Sequence, residues 1–285
     1  TVFIGDGRPL VTIGERINPT GKKRLQETLL AGDMKEVKLL ATEQVENQAD
    51  ILDINVGMAG IDERLTILKV IECLMATVDA PLCFDSSDPE VIESALRVYP
   101  GRALINSISG EQNKMDRLLP IAAKYGAMFI LLPLDEHTVP AEATKRCEIV
   151  NRVFQAAKRE GFTSSDIIVD GLVMTVSSDP QAARETLKLI EWSTKEIGCN
   201  TLVGLSNVSF GLPQREWINA AFLAMAMARG LTMSILNPTG HTLMNIKMAS
   251  DVLNVTDKNG TNYCRYFGNN DTSAILAAKP DAPQS

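Results

Sequence analysis

Eight short apolar segments alternate with eight longer amphipathic segments along this chain of 285 residues. The apolar segments have the length of β-strands, and the amphipathic segments have helical length and apolar spacing. The predicted strands are residues 11–14, 51–54, 81–84, 103–105, 127–132, 167–169, a segment from 201 that stops before Ser206, and 233–236. The predicted helices are residues 34–48, 64–77, 89–98, 114–124, 141–159, 180–197, 213–229 and 241–253. This alternation favours an α/β fold with a parallel sheet, and eight units in about 250 residues predict a closed (β/α)8 TIM barrel.

The domain organisation follows from the same pattern. No linker rich in Pro, Gly and Ser interrupts the alternation, and barrels of about 250 residues commonly form one domain. We therefore expect a single domain over residues 1–285, with the barrel over about 11–255 and a C-terminal extension over 256–285.

Charge and composition exclude several classes of partner. The formal net charge of −7 disfavours nucleic-acid binding, which needs a basic face to neutralise phosphates. No apolar run is long enough to span a bilayer and no signal peptide is evident, so we expect a cytoplasmic protein. The five cysteines are scattered and the histidines are His137 and His241 alone, so no metal site is predicted.

Polar residues lie at or just beyond the ends of the predicted strands. They are Glu15, Asn18, Asp53, Asn55, Asp85, Asn106, Asp170 and, after the seventh strand, Ser206 and Asn207. In a (β/α)8 barrel the carboxyl ends of the strands build the active site, so these side chains should converge on one mouth. A capping or turn role is the alternative for each of them taken alone.

Carboxylates and amides at one mouth indicate the kind of ligand. They can match the edges of a flat heterocycle that carries its own N–H donors and a carbonyl acceptor. Phosphate recognition would call for a glycine-rich turn or strand-end lysines and arginines, and neither is evident. A sugar hydrolase with Asp85 and Asp170 as its acid/base pair is an alternative that the amides make less attractive. The basic run Lys22-Lys23-Arg24 is interpreted as a solvated loop, and a contact with an anionic substrate tail is the weaker hypothesis.

Six segments, taken in this order, resemble the pterin-binding methyltransferases. They are 13–21 (IGERINPTG), 49–57 (ADILDINVG), the strand end at Asp85, 106–109 (NSIS), Asp170 with Gly171, and 204–209 (GLSNVS). Within that family the chain is most similar to methyltetrahydrofolate:corrinoid protein methyltransferases, and the folate domain of cobalamin-dependent methionine synthase is a relative. The resemblance covers roughly residues 11–255.

The resemblance implies specific roles for the residues at the mouth. Asp85, Asn106 and Asp170 would hydrogen-bond the pterin ring, and Gly204 and Ser206 would line the same pocket. Asn207 would approach N5, the nitrogen that bears the methyl group, and would be the catalytic residue. Glu15, Asn18, Asp53 and Asn55 are assigned only to the pocket or its supporting shell.

The resemblance also implies the partners. Methyltetrahydrofolate or tetrahydrofolate would be the substrate, and cobalamin would be carried by a separate corrinoid protein. This chain has no cobalamin signature of its own, because Pro140 stands where the motif that begins at Asp135 needs glycine. A homodimer and a place in one-carbon metabolism are further implications. The methionine-rich segment 220–228 could lie at the dimer interface, although burial against the barrel is the preferred interpretation.

Two alternatives stay open from the sequence. A pterin enzyme like dihydropteroate synthase would share the barrel and the pocket, but that family needs a strand-end lysine and a later arginine–histidine pair that 204–211 and 234–241 do not supply. A noncatalytic folate-binding subunit of a corrinoid complex would share the pocket and lack the methyl transfer. The direction of transfer is not encoded in these residues.

Overall fold

A computed structural model of the chain describes residues 1–136 and 139–268. The strands are β1 (Val11–Ile17), β2 (Ile51–Ile54), β3 (Leu82–Asp85), β4 (Leu104–Ser109), β5 (Met128–Leu132), β6 (Ile167–Asp170), β7 (Asn200–Gly204) and β8 (Met233–Leu236). The helices are α1 (Lys23–Leu30), α2 (Lys35–Glu46), α3 (Glu63–Met75), α4 (Pro89–Val98), α5 (Gln112–Tyr125), α6 (Ala143–Arg159), α7 (Ala182–Trp192), α8 (Arg215–Met227), α9 (His241–Leu253) and α10 (Thr261–Gly268). Residues 269–285, which make up most of the predicted extension, and His137 lie outside the described residues.

The eight strands close into a parallel barrel in sequence order. Val11 of β1 pairs with Met233 of β8, which joins the first strand to the last. The predicted (β/α)8 fold is therefore confirmed.

Two apolar layers hold the barrel. Its interior is filled by an apolar layer of Val11, Ile13, Ile51, Cys83, Leu104, Ile130, Ile168, Leu202 and Met233. The helices cover the outside through stripes with helical spacing. In α3, for example, Ile67, Val70, Ile71 and Leu74 are all buried.

Strand period decides which residues face the barrel interior beyond that layer. Side chains alternate between the two faces of a strand, so the residue two positions after each interior residue also points inward. These next inward positions, at the carboxyl ends of the strands, are Glu15, Asp53, Asp85, Asn106, Leu132, Asp170, Gly204 and Ile235. Most of the predicted site residues thus occupy inward positions at one end of the barrel.

Local structure differs from the prediction in a few places. Helices α1 and α10 were not predicted, and both are shorter than any of the predicted helices. Strand β1 continues to Ile17 and β4 to Ser109, and both contain an irregularity in their pairing, so Glu15 and Asn106 lie within strands. The predicted helix over 213–229 begins only at Arg215, because Gln214 has a left-handed backbone with φ of 51°.

The segment 220–228 packs mainly against the barrel. Within it Phe222, Leu223, Ala226 and Met227 are buried, whereas Met225 is 51% exposed. Burial against the barrel thus accounts for most of its apolar side chains. Within the described part of the chain, no helix combines the length and apolar character needed to cross a membrane.

Candidate active site at the carboxyl ends of the strands

Hydrogen bonds link the polar groups of β2, β3 and β4 at the mouth of the barrel. Asn55 Nδ2 donates to Asp85 Oδ2 at 2.9 Å. Asn106 Nδ2 donates to Asp53 Oδ1 at 3.1 Å. The backbone register places Asp85 beside Asn106, so the two pairs interlock across three neighbouring strands.

Burial raises the pKa values of the two aspartates in this network, Asp53 and Asp85. Asp53 is buried, and that burial, together with the nearby charge of Asp85, raises its pKa to about 7. Burial also raises the pKa of Asp85, with a further contribution from Glu63, while the hydrogen bond from Asn55 opposes the rise. The two carboxyl groups therefore resist carrying two negative charges at once, and N–H donors of a ligand would stabilise the ionised form.

Asp170 reaches the mouth from β6. One of its oxygens, Oδ1, accepts the backbone N–H of Leu172 at 2.8 Å. Burial raises the pKa of Asp170 to about 6, while the Leu172 hydrogen bond and the positive charge of Arg146 act in the opposite direction. At neutral pH this carboxyl group is mainly an acceptor for N–H groups.

Arg146 supports the loop that follows Asp170. Its guanidinium is fully buried behind β6, where Nη1 donates to the carbonyl oxygens of Gly171 and Leu172, both at 3.0 Å. Nε donates to the carbonyl oxygen of Pro140 at 2.7 Å. Arg146 was not predicted from the sequence, although a charged residue on the buried stripe of α6, beside Ile149, Val150 and Val153, was a readable signal.

Asn207 lies on a short 3₁₀ turn, Leu205–Ser209, directly after β7. A methyl group at Gly204 would lie 3.3 Å from Nδ2 of Asn207. Since Gly204 occupies an inward position, the Asn207 amide lies over the barrel mouth. The residue is exposed, so its amide is accessible to a ligand.

Cationic side chains gather around Glu15 on the adjacent side of the mouth. Burial raises the pKa of Glu15, and the charges of Lys22, Arg16 and Arg215 oppose that rise. Of the basic run, Lys22 is half-buried at this position, whereas Lys23 and Arg24 are exposed at the start of α1, where Arg24 forms an ion pair with Glu36 at 2.7 Å. The interpretation of the run as a loop was therefore wrong for Lys23 and Arg24, although both side chains are solvated.

Two predicted site residues have local structural roles. Asn18 lies in the loop after β1, where its Oδ1 accepts the backbone N–H of Thr20 at 2.9 Å. Ser206 presents its backbone carbonyl oxygen to Arg215 Nη2 at 2.5 Å. Arg215 was also missed from the sequence, because no motif marks a helix-start arginine as part of a site.

Taken together, the mouth offers carboxylates and amides to the edges of a planar, nitrogen-rich ring. Asp53, Asp85 and Asn106 come from one side, Asp170 from another, and Asn207 from above Gly204. Among residues 1–136 and 139–268, no cluster of three or more His, Cys, Asp or Glu side chains is arranged to hold a metal ion.

Comparison with known proteins identifies relatives of the whole barrel. The family described as "Pterin binding enzyme" matches residues 14–237. A methylcorrinoid:tetrahydrofolate methyltransferase of Eubacterium limosum is 30% identical over 265 residues, which cover 90% of this chain and 96% of that protein. A methionine synthase of Mycobacterium tuberculosis (strain ATCC 25618 / H37Rv) is 29% identical over 256 residues, which cover 85% of this chain but 21% of that larger protein.

Solved structures show the same fold at lower identity. A dihydropteroate synthase from Clostridium difficile, solved in the presence of pteroic acid, aligns with a TM-score of 0.67 and 16% identity. That alignment covers 89% of this chain and 99% of the other. At this identity the similarity establishes the barrel fold and not the reaction.

Proposed function

The chain belongs to the pterin-binding enzyme family, and from this premise we propose that it is a methyltransferase acting between N5 of methyltetrahydrofolate and the cobalt of a corrinoid protein. The relative from Eubacterium limosum, matched over nearly its full length, supports this reaction. The observation that carries the proposal is that carboxylate and amide side chains from several strands converge on one barrel mouth, with the Asn207 amide on the turn after β7.

The acids and amides of the mouth bind and orient the ring in this proposal. Asp170 and Asp85 accept hydrogen bonds from the N–H groups of the pterin, and Asn106 supplies an amide that can donate and accept. Asp53 and Asn55 hold Asn106 and Asp85 through the hydrogen bonds already described. Glu15 and Asn18 contribute to the wall of the pocket and its first loop, and the absence of a side chain at Gly204 leaves room for the Asn207 amide.

Asn207 acts at the bond that changes. When the bond between N5 and the methyl group breaks, the bonding electrons stay on N5, which then needs a proton or a strong hydrogen bond. The Asn207 amide can donate to N5 as charge develops there, and it does not titrate near neutral pH. An interaction that strengthens in the transition state accelerates the reaction, whereas uniform binding does not. The corrinoid cofactor of the partner supplies the cobalt that exchanges the methyl group.

A dihydropteroate synthase activity is the alternative that the solved neighbours raise. As noted from the family resemblance, dihydropteroate synthases need a lysine at a strand end. None is present at the end of β7, where residues 204–209 are Gly, Leu, Ser, Asn, Val and Ser. The relative from Eubacterium limosum is a methyltransferase by name. Both facts favour methyl transfer.

The assembly and setting are part of the same proposal. By family resemblance the enzyme is a homodimer in one-carbon metabolism, and the cytoplasm is the location expected from the sequence. Its corrinoid partner covers the barrel mouth during transfer, because the cobalt has to reach the methyl group on N5.

One experiment tests the reaction directly. The protein is mixed with methylcobalamin and tetrahydrofolate, and separately with reduced cobalamin and methyltetrahydrofolate, while the cobalamin absorption spectrum is followed. We expect transfer in at least one direction, with tetrahydrofolate or methyltetrahydrofolate as the matching product. Tight methyltetrahydrofolate binding without transfer to free or protein-bound cobalamin would instead indicate a noncatalytic folate-binding subunit.

Replacement of Asp170 by asparagine should weaken pterin binding and change its pH dependence. Loss of hydrogen bonds to a charged acceptor costs about 1.5–3 kcal/mol each, which corresponds to about 10- to 100-fold in affinity. Because Asp170 has a pKa of about 6 in the free protein, its ionised form is complete above that pH and is lost below it. The affinity of the parent protein should therefore fall as the pH drops below about 6.

Isothermal calorimetry with tetrahydrofolate between pH 5 and 8 measures both effects. The Asp170→Asn variant should lack the part of the pH dependence that Asp170 causes, whereas the Asp53 carboxyl still titrates in both proteins. Asp116→Asn, an exposed change on α5, is the control. Unchanged affinity in Asp170→Asn would remove Asp170 from the proposed pterin contacts.

A further inference from the structure

The turn that carries Asn207 is held from the side of helix α8. Arg215, the first residue of α8, donates through Nη2 to the carbonyl oxygen of Ser206 at 2.5 Å. It also donates through Nε to Oγ of Ser209 at 3.0 Å. Ser206 and Ser209 lie on either side of Asn207 in the sequence, so one guanidinium clamps both ends of the segment that presents the amide.

The rest of the turn is fixed by neighbours that do not touch Ser206. The backbone N–H of Val176 donates to the carbonyl oxygen of Val208 at 3.0 Å, which ties the middle of the turn to the loop after β6. Thr175 Oγ1 donates to the carbonyl oxygen of Phe210 at 2.6 Å, which ties its end to the same loop. Arg215 is therefore the side chain that joins the Ser206 carbonyl, at the start of the turn, to Ser209 near its end.

The side chain type matters for this arrangement. A guanidinium is a planar fork whose nitrogens can reach two acceptors at fixed angles, whereas the lysine ammonium is a point charge on a flexible stem. The guanidinium also lies 5.8 Å from the centroid of the Phe210 ring, which limits its freedom further. Both acceptors belong to the turn, so the position of the guanidinium constrains the backbone conformation of the turn.

On the basis of the proposed function, we propose that Arg215 is a positioning residue for methyl transfer, which fixes the Leu205–Ser209 turn so that the Asn207 amide faces N5 of the pterin. A competing role follows from its exposed position near the cationic side of the mouth. There it could bind the carboxylates of the folate tail directly. The two roles predict different kinetics.

The test compares Arg215→Ala and Arg215→Lys with the parent protein. If Arg215 positions Asn207, kcat for methyl transfer should fall about 10- to 100-fold in Arg215→Ala, the scale of a displacement of about 1 Å at a catalytic group. KM for methyltetrahydrofolate should change less than about threefold, because the ring contacts remain. Arg215→Lys should recover only part of the rate. Arg229→Ala, which removes the arginine that follows α8 and pairs with Glu191, is the matched control and should match the parent protein.

Two further measurements separate positioning from tail binding. A methylated tetrahydropterin without the aminobenzoylglutamate tail should show the same loss of kcat in Arg215→Ala. In an Asn207→Ala background, Arg215→Ala should cause little further loss, because both changes remove the same interaction. Thermal unfolding of each variant confirms that it is folded, and Arg215→Gln serves in place of Arg215→Ala if the latter is unfolded.

Several outcomes would overturn the inference. One is a parental kcat in Arg215→Ala; another is a loss confined to KM and to the substrate that has the tail, which would make Arg215 a tail-binding residue. A full additional loss in the Asn207→Ala background would also contradict positioning. These results leave the proposed methyltransferase intact, whereas absence of methyl transfer in the parent protein removes that function and this inference together.

Discussion

Asn207→Ala is expected to lower the rate of methyl transfer by about 10²-fold or more, the scale of loss for a placed hydrogen-bond donor in an active site. The physical reason is the position of its amide above Gly204, from which it can donate to N5 as the methyl group leaves. Folate affinity should fall much less, because the ring is held by Asp85, Asn106 and Asp170. The loss should therefore appear in kcat rather than in binding.

Single-turnover kinetics and calorimetry together check this expectation. The spectrum of cobalamin reports the transfer step, and titration with methyltetrahydrofolate reports binding in the same variant. Asn254→Ala, at the exposed end of α9, is a control that removes an asparagine far along the chain from the turn. If Asn207→Ala transferred methyl groups at the parental rate, the amide would have no part in the reaction.

Arg146→Met is expected to destabilise the protein by about 3 kcal/mol or more, since hydrogen bonds to a charged group contribute about 1.5–3 kcal/mol each. Methionine replaces most of the apolar stem but leaves the carbonyl oxygens of Pro140, Gly171 and Leu172 without their donor. Buried carbonyl groups that lose a partner carry the full cost of their desolvation. The effect is large because one guanidinium satisfies all three.

Chemical denaturation of Arg146→Met and of Arg159→Met measures the difference. Arg159 lies at the exposed end of the same helix, so its replacement should leave the free energy of unfolding nearly unchanged. Removal of Arg146 also removes a positive charge that lowers the pKa of Asp170, so that pKa should rise above about 6 and pterin affinity should be lost at a higher pH. Equal stability of the two variants would mean that the buried guanidinium does not support the Asp170 loop.

Local patterns along the chain were sufficient to predict the barrel and most of the residues at its mouth. Each short apolar segment predicts a buried barrel strand, and the acidic residues at or just beyond the end of that segment are then predicted to lie at the mouth. Asp53, Asp85, Asn106 and Asp170 could be identified because strand ends in a parallel barrel share one face by symmetry of the fold.

Contacts between distant segments could not be predicted from the sequence. Nothing near Asp85 in the sequence indicates that Asn55 donates to it, or that Asn106 donates to Asp53 across β3. The register of the closed barrel decides these pairs, since a shift of one residue would turn each side chain to the other face.

The amino-acid sequence by itself determined the alternating strands and helices, the family resemblance and the residue types at the strand ends, because these depend on local periodicity and motif order. Only the tertiary structure decided that the pKa values of Asp53 and Asp85 are raised, that Arg146 supports the Asp170 loop, and that Arg215 contacts both ends of the turn around Asn207. Those features arise when closure of the barrel removes side chains from water and brings together groups far apart in the chain, and pKa shifts and buried hydrogen bonds depend on that environment.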